Sequence, residues 1–274
     1  MARKIYLNGE IVEYDKAFLH ISDLAIIRGY GVFDFFRTQN GQPFLMQGHI
    51  ERFINSAEYF ELPLPVSQDK LKSIIQDLLD FNHFEESGIK LLITGGYSED
   101  GITPGTPNFF VDVQPLVLPP DSHFTQGIKL ITHKYIRDFP EIKSVNYITS
   151  IRIHKQILDA GAVDVLFHYQ DIISESSRSN FFLVRDNKII TSDRNILKGI
   201  TRGKVLALAG PHYAIEERPT YLKEIKNADE AFITGTTKKV MPVVKVDDTI
   251  VGSGKPGKVT QHLMQLFAQL EREW

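Results

Sequence analysis

The sequence predicts an α+β chain of two domains. Three observations carry this: short runs of alternating apolar residues, helix-spaced apolar stretches set between them, and a proline-rich break near residue 118. Ile5-Tyr6-Leu7, Asn8-Gly9 and Ile11-Val12 read as a strand, a two-residue turn and a returning strand. Val32 to Arg37, Asn40-Gly41 and Phe44-Leu45-Met46 repeat the pattern. Ile50, Phe53, Ile54 and Ala57, then Leu71, Ile74, Ile75, Leu78 and Leu79, are spaced for one apolar face on each of two helices. Strands resume at Ile89 to Thr94 and at Asn108 to Val113, so most sheet neighbours are expected to be antiparallel.

Leu118-Pro119-Pro120-Asp121-Ser122-His123 breaks both periodicities, because consecutive prolines favour an extended connector. This gives a domain over 1–117, a linker over 118–123 and a domain over 124–274. The second domain is expected to hold strands at Ile128 to Ile131, Val163 to Tyr169, Phe181 to Val184, Ile189 to Thr191 and Ala231 to Thr234. Helices are expected from about Tyr147 to Leu158, from Thr201 to Gly210, and at the C-terminus.

At 274 residues and 42% hydrophobic content the chain can bury a large core. A net charge of -3 gives no electrostatic ground for a nucleic acid or an anionic membrane as partner. The absence of cysteine excludes a disulfide framework, a thiolate metal site and a thiol nucleophile. The first residues turn polar too soon for a signal peptide, and no apolar stretch approaches the ~20 residues that span a bilayer. The expectation is a soluble, cytoplasmic protein that holds no metal and whose partners are small molecules and a second copy of itself.

Several segments could carry chemistry. Lys143 precedes an apolar-faced helix, where a short segment could deliver an amine into a cleft, and Glu175 lies among small hydroxyl residues between apolar strands. Leu197-Lys198-Gly199-Ile200-Thr201-Arg202 places a glycine and a threonine where a helix begins, so free N–H groups and the helix dipole would face an anion. Thr234-Gly235-Thr236-Thr237 follows a strand and offers a second cradle of donors. Arg52 sits one step from Phe53 and can reach around its helix. Taken singly, each is more often a solvated side chain, a cap or a turn.

Together these segments resemble the fold-type IV pyridoxal-5′-phosphate (PLP) enzymes. The resemblance rests on Gly29 to Asp34, His49-Ile50-Glu51-Arg52, Ile142 to Asn146, Glu175 to Phe182, Leu197 to Arg202 and Thr234 to Thr237. That family contains D-amino acid aminotransferases, branched-chain aminotransferases, (R)-selective amine transaminases and aminodeoxychorismate lyases. The resemblance implies a smaller N-terminal α/β sandwich domain and a larger C-terminal domain with a barrel-like sheet. It implies that Lys143 joins PLP as a Schiff base and moves protons, and that Glu175 faces the pyridine nitrogen. Arg52, Ile200, Thr201 and Thr236 would hold the phosphate, Leu197 would pack on the ring face, and Tyr147 would bond the ring hydroxyl. Two departures stand out: Arg178 where a small residue is expected, and Asp34 where many members carry glutamate.

At the substrate end, the Arg-x-His pair of typical D-amino acid aminotransferases is missing, since the matching stretch is Gly95-Gly96-Tyr97-Ser98-Glu99-Asp100-Gly101-Ile102. Arg28 and Lys90 could replace it as binders of substrate carboxylates, with Phe33 and Thr237 also assigned to the substrate. This resembles a D-amino acid aminotransferase subgroup with an Arg/Lys pair, and implies transamination between a D-amino acid and a 2-oxo acid such as 2-oxoglutarate. The alternatives are branched-chain aminotransferase, then aminodeoxychorismate lyase, then a PLP-binding protein without turnover. A homodimer, with Arg28 reaching the other subunit, is part of the same expectation.

Overall fold

The computed structural model describes residues 2–274 and divides into two compact units. The first comprises residues 2–117, with 142–146 and Trp274. The second comprises 118–141 and 147–273.

In the first unit, β1 (Lys4–Leu7) and β2 (Glu10–Glu13) form the expected hairpin. Asn8 at φ 48° and Gly9 at φ 107° supply the positive dihedrals that its two-residue turn needs. A short α1 (Leu24–Arg28) leads into β3 (Gly31–Gln39), which meets β4 (Gln42–Pro43) across the Asn40-Gly41 turn. The strand expected over Phe44 to Met46 does not form. Pro43 cannot donate to a ladder, Leu45 turns to φ 54°, and α2 (Met46–Tyr59) starts at once. Then follow α3 (Gln68–Asn82), β5 (Ser87–Thr94) and β6 (Phe109–Pro115), and the sheet runs in the order β2-β1-β6-β5-β3-β4.

Burial follows the two periods. Ile50, Phe53, Leu71, Ile75 and Leu78 on the helices pack with Phe36, Ile89, Leu91, Ile93 and Val111 on the sheet. Each contributes roughly 1.5–3 kcal/mol when fully buried. Because Ile89, Leu91 and Ile93 face this core, strand alternation puts Lys90 and Leu92 on the opposite face of the sheet.

The second unit starts with α4 (Asp121–Thr125) and β7 (Ile128–Lys134). The single helix expected over Tyr147 to Leu158 is two: α5 (Ile148–Arg152) and α6 (His154–Asp159), with Ile153 between them. The β-branched residues Ile148, Thr149, Ile151 and Ile153 are poor helix formers, and no side chain caps either start. Then come β8 (Asp164–Tyr169), β9 (Ile172–Ser176), β10 (Ser179–Arg185), β11 (Lys188–Thr191), α7 (Ile200–Ala209), β12 (Ala214–Glu217), β13 (Thr220–Tyr221), β14 (Glu230–Gly235), β15 (Lys239–Val246), β16 (Thr249–Ile250) and α8 (Lys258–Arg272).

The strands β10-β14-β15-β7-β8-β9 are hydrogen-bonded in sequence, and β9 pairs back to β10, which closes a barrel. A central member, β15, escaped the sequence reading because Pro242 argues against an interior strand. Its parallel pairing with β7 begins only at Val243, just past the proline, so the missing N–H leaves no gap in that ladder.

Candidate active site

Lys143 belongs to the first unit. The segment 142–146 lies as a short extension along β3: Phe33 N donates to Lys143 O (2.9 Å), Val145 N donates to Gly31 O (3.0 Å), and Val32 bridges Ser144. The sequence boundary had assigned this segment to the second domain. Its backbone instead takes up the hydrogen-bonding groups at the start of β3. The Lys143 amine rests 4.5 Å from the centre of the Phe33 ring, so the two sequence-assigned residues meet.

Next to Phe33, Asp34 is fully buried and receives three side-chain bonds. Arg52 Nε donates to Oδ2 and Nη2 to Oδ1, both at 2.8 Å, and His49 Nδ1 meets Oδ1 at 2.8 Å. Burial opposes the charge on Asp34, but the Arg52 guanidinium and His49 outweigh it and hold the carboxyl well below the usual range. Burial pushes His49 the other way, keeping it neutral against the pull of Asp34, while Arg52 and Lys143 further disfavour its protonation. The α2 helix spaces His49 and Arg52 three residues apart, which puts both side chains over Asp34. Arg52 is thereby fixed in position through one edge of its guanidinium. The sequence marked Asp34 and Arg52 but gave His49 no role of its own.

In the second unit, Glu175 is the last residue but one of β9, with its carboxylate buried. Arg137 Nε donates to Oε1 (2.8 Å) and Leu197 N donates to Oε2 (3.0 Å). Asn180, directly across the β9–β10 ladder from Glu175, donates from Nδ2 to Leu197 O (2.7 Å). Leu197 is therefore gripped at both backbone ends. Arg137 went unnoticed in the sequence because a cation six residues ahead of Lys143 carries no local pattern.

Asn180 also fixes the start of α7. A methyl at Gly199 would collide with Asn180 Oδ1, so only glycine lets the two approach, and no side chain caps the amides of Ile200 and Thr201. Arg202 anchors the same turn by donating to Ser192 O (3.1 Å) and Glu217 Oε2 (2.7 Å). Thr236 and Thr237 lie in the turn between β14 and β15, beside the β9–β10 turn. A methyl at Gly235 would sit 3.2 Å from both Arg178 O and Ser179 Oγ. The hydroxyls of Ser176, Ser179 and Thr234 are buried there with no hydrogen-bond partner. Tyr147 stands at the start of α5.

The remaining predicted residues belong to the first unit. Arg28 is exposed at the end of α1, bonded to Ile27 O (2.8 Å), and its guanidinium lies along the 95–102 loop, 3.2 Å from where a methyl on Gly101 would sit. Lys90 opens on a cleft of about 500 Å3 with Tyr14, Phe18, Phe110 and Asp112. Asp112, directly across the ladder, is paired with Arg3, and no partner of Lys90 is found among the described residues.

Three comparisons define what this arrangement belongs to. The family model for amino-transferase class IV matches residues 31–246. The chain is 32% identical to D-alanine aminotransferase of Bacillus licheniformis, over 95% of this chain and 94% of that one. It is 31% identical to a Methanocaldococcus jannaschii protein provisionally named branched-chain-amino-acid aminotransferase, over 99% and 97%. Among solved structures, a branched-chain amino acid aminotransferase of T.th. with pyridoxamine 5′-phosphate superposes with a TM-score of 0.92. It is 25% identical and covers 99% of this chain and 94% of that one. The chain belongs to the class IV aminotransferases, with the fold-type IV architecture. It is a PLP-dependent transferase.

The residues present fit that cofactor. Uncapped α7 amides, three unpartnered buried hydroxyls by the β14–β15 turn and a buried carboxylate are donors and acceptors that a phosphorylated pyridine would satisfy. No described helix is long and apolar enough to cross a membrane.

Proposed function

We propose that the enzyme transfers the amino group between a D-amino acid of the alanine or glutamate type and a 2-oxo acid such as 2-oxoglutarate, using Arg28 and Lys90 for substrate carboxylates. The observation that carries this reading is the position of Arg28. The 95–102 loop has no cation of its own, and α1 brings a guanidinium against that loop. Of the loop's two acids, Glu99 and Asp100, the second is not available to oppose it. Asp100 is consumed internally, accepting from Ser98 Oγ, Ile102 N and both the amide and hydroxyl of Thr103, which hold its carboxyl well below the usual range.

Lys90 supports the same reading. It lies two positions along β5 from Leu92, which is paired with Phe33, so Lys90 shares the sheet face over which the Lys143 amine sits. It faces an open cleft across the ladder from Asp112, whose carboxylate is taken by Arg3, so its charge is available to a substrate carboxylate.

The residue roles are those that the resemblance to the fold-type IV enzymes implies. PLP would supply the electron sink that stabilises negative charge at the substrate α-carbon. The Lys143 amine would attach the cofactor and carry the α-proton. Glu175, held by Arg137 and Leu197 N, would keep a proton on the ring nitrogen. Arg52, backed by Asp34, would be a phosphate contact, as would Thr236 and the α7 amides of Ile200 and Thr201. Leu197 would pack on the ring, Tyr147 would bond its hydroxyl, and Phe33 and Thr237 would line the substrate side.

The working form in this proposal is a cytoplasmic homodimer in which Arg28 serves the other subunit. Phe18, Ile21 and Ile26, on the segment leading to Arg28, are 76%, 77% and 58% exposed, an apolar run that another surface would cover.

A panel of D-alanine, D-glutamate, L-leucine and aminodeoxychorismate, run in both enantiomers where they exist, tests the assignment. Activity confined to L-leucine would replace it with the branched-chain reaction, and activity on aminodeoxychorismate alone with the lyase. Within the D-specific reading, Arg28→Leu and Lys90→Met are each expected to raise KM for D-glutamate by about tenfold or more, the scale of one lost charge-assisted bond. KM for D-alanine should move less with Lys90→Met; equal effects on both substrates would remove Lys90 from the site.

A further inference from the structure

The second unit holds a buried ion pair to which the reaction assigns no task. Asp164, at the start of β8, and Lys238, in the turn between β14 and β15, are 3% and 8% exposed, and Lys238 Nζ donates to Asp164 Oδ2. Asp164 Oδ1 accepts from Val165 N (2.8 Å) and from Ser177 Oγ (2.6 Å). One carboxylate therefore joins three segments: its own strand, the turn that follows Glu175, and the turn that carries Thr236 and Thr237. Burial disfavours the charge on Asp164, yet Lys238 and the two hydrogen bonds keep its carboxyl below the usual range.

A buried pair of this kind is weak evidence for stability, because desolvating both charges costs about as much as their attraction returns. What the pair does supply is geometry. The two turns it joins are those that approach at Gly235, where an added methyl would sit 3.2 Å from Arg178 O and Ser179 Oγ, so the backbones lie close together. Around this approach lie the unpartnered hydroxyls of Ser176, Ser179 and Thr234.

We propose that Asp164 and Lys238 are positioning residues that lock the 176–178 turn against the 236–238 turn and thereby set the affinity of the phosphate cradle. The proposal rests on the reading of Thr236 as a phosphate contact. Lys238 acts through Asp164 and the turn, and its charge is spent on that carboxylate, so it is not itself the phosphate's counter-ion.

PLP titrated into apoenzyme, followed by absorbance, with the apoenzyme melting temperature measured alongside, tests this. Asp164→Asn, Lys238→Met and the double Asp164→Asn/Lys238→Met variant are each expected to weaken PLP binding by about tenfold or more, the usual scale for losing a support behind a bound group. The double variant leaves no unpaired buried charge, so its apoenzyme is expected to melt close to wild type, which separates positioning from folding. Lys238→Arg restores the pair and is expected to stay within about threefold of wild type. A folded double variant that binds PLP as wild type does would overturn the proposal. So would an Asp164→Asn enzyme that binds more tightly, since the freed lysine would then be reaching the phosphate itself. Thr236→Ala is the reference: if it leaves affinity unchanged the cradle reading falls and takes this proposal with it, whereas a weakened Thr236→Ala beside unaffected pair variants overturns the positioning role alone.

Discussion

Lys143→Ala is expected to lower transamination by about four orders of magnitude or more, the loss of both covalent attachment and proton transfer. It should also abolish trapping of PLP by borohydride on the 142–146 peptide. Lys143→Arg is expected to be no better, because a guanidinium stays protonated and cannot condense with an aldehyde. The expected size follows from the surroundings. The amine sits over the Phe33 ring on a segment held to β3 by two backbone bonds, and its charge is felt at His49 in the Asp34 network. A Lys143→Ala enzyme within tenfold of wild type, or a label trapped on Lys90, would remove the residue from its role.

Much of this was legible before any fold was known, and the reasons are local. The 3.6-residue spacing of α2 and α3 and the alternation in β5 are written in adjacent residues, so the core face and the Lys90 face separated without tertiary information. Gly199 ahead of Thr201 announced the α7 start for the same reason. The misses are non-local. Arg137 matters only because the segment after β7 brings it to Glu175 in β9, far away in sequence, and Lys238 only because a turn meets the start of β8. Pro242 is a strand breaker by local rule and a barrel residue in fact, since the pairing it cannot make is not required until Val243. The break at Ile153 went unread because apolar spacing records which face is buried and says nothing about how weakly a β-branched run propagates a helix.

Asp34 carries the largest stability effect expected in the first unit. Asp34→Asn removes the charge that Arg52 and His49 are arranged around, leaving a largely buried guanidinium without its counter-ion, which costs about 3–5 kcal/mol at neutral pH. It also releases Arg52, so PLP affinity should fall with stability. The pH dependence follows from the direction of the two shifts. Asp34 has a depressed folded-state value, so its contribution is complete above the unfolded carboxyl value of ~3.9 and is lost as pH falls through the folded one. His49 is also depressed, so its contribution is complete above ~6.5 and is lost as pH falls below that, where the unfolded chain takes up the proton first. Urea unfolding of the apoenzyme from pH 8 to pH 5 should therefore show stability declining toward acid, with the decline flattened in His49→Gln. Below pH ~4 the gap between wild type and Asp34→Asn should narrow, because the unfolded wild-type chain takes up the Asp34 proton while the folded network still holds its charge. A His49→Gln enzyme with the full wild-type slope would show that the imidazole is not kept neutral. An Asp34→Asn enzyme as stable as wild type at pH 7 would show that the guanidinium finds another anion once the carboxylate is gone.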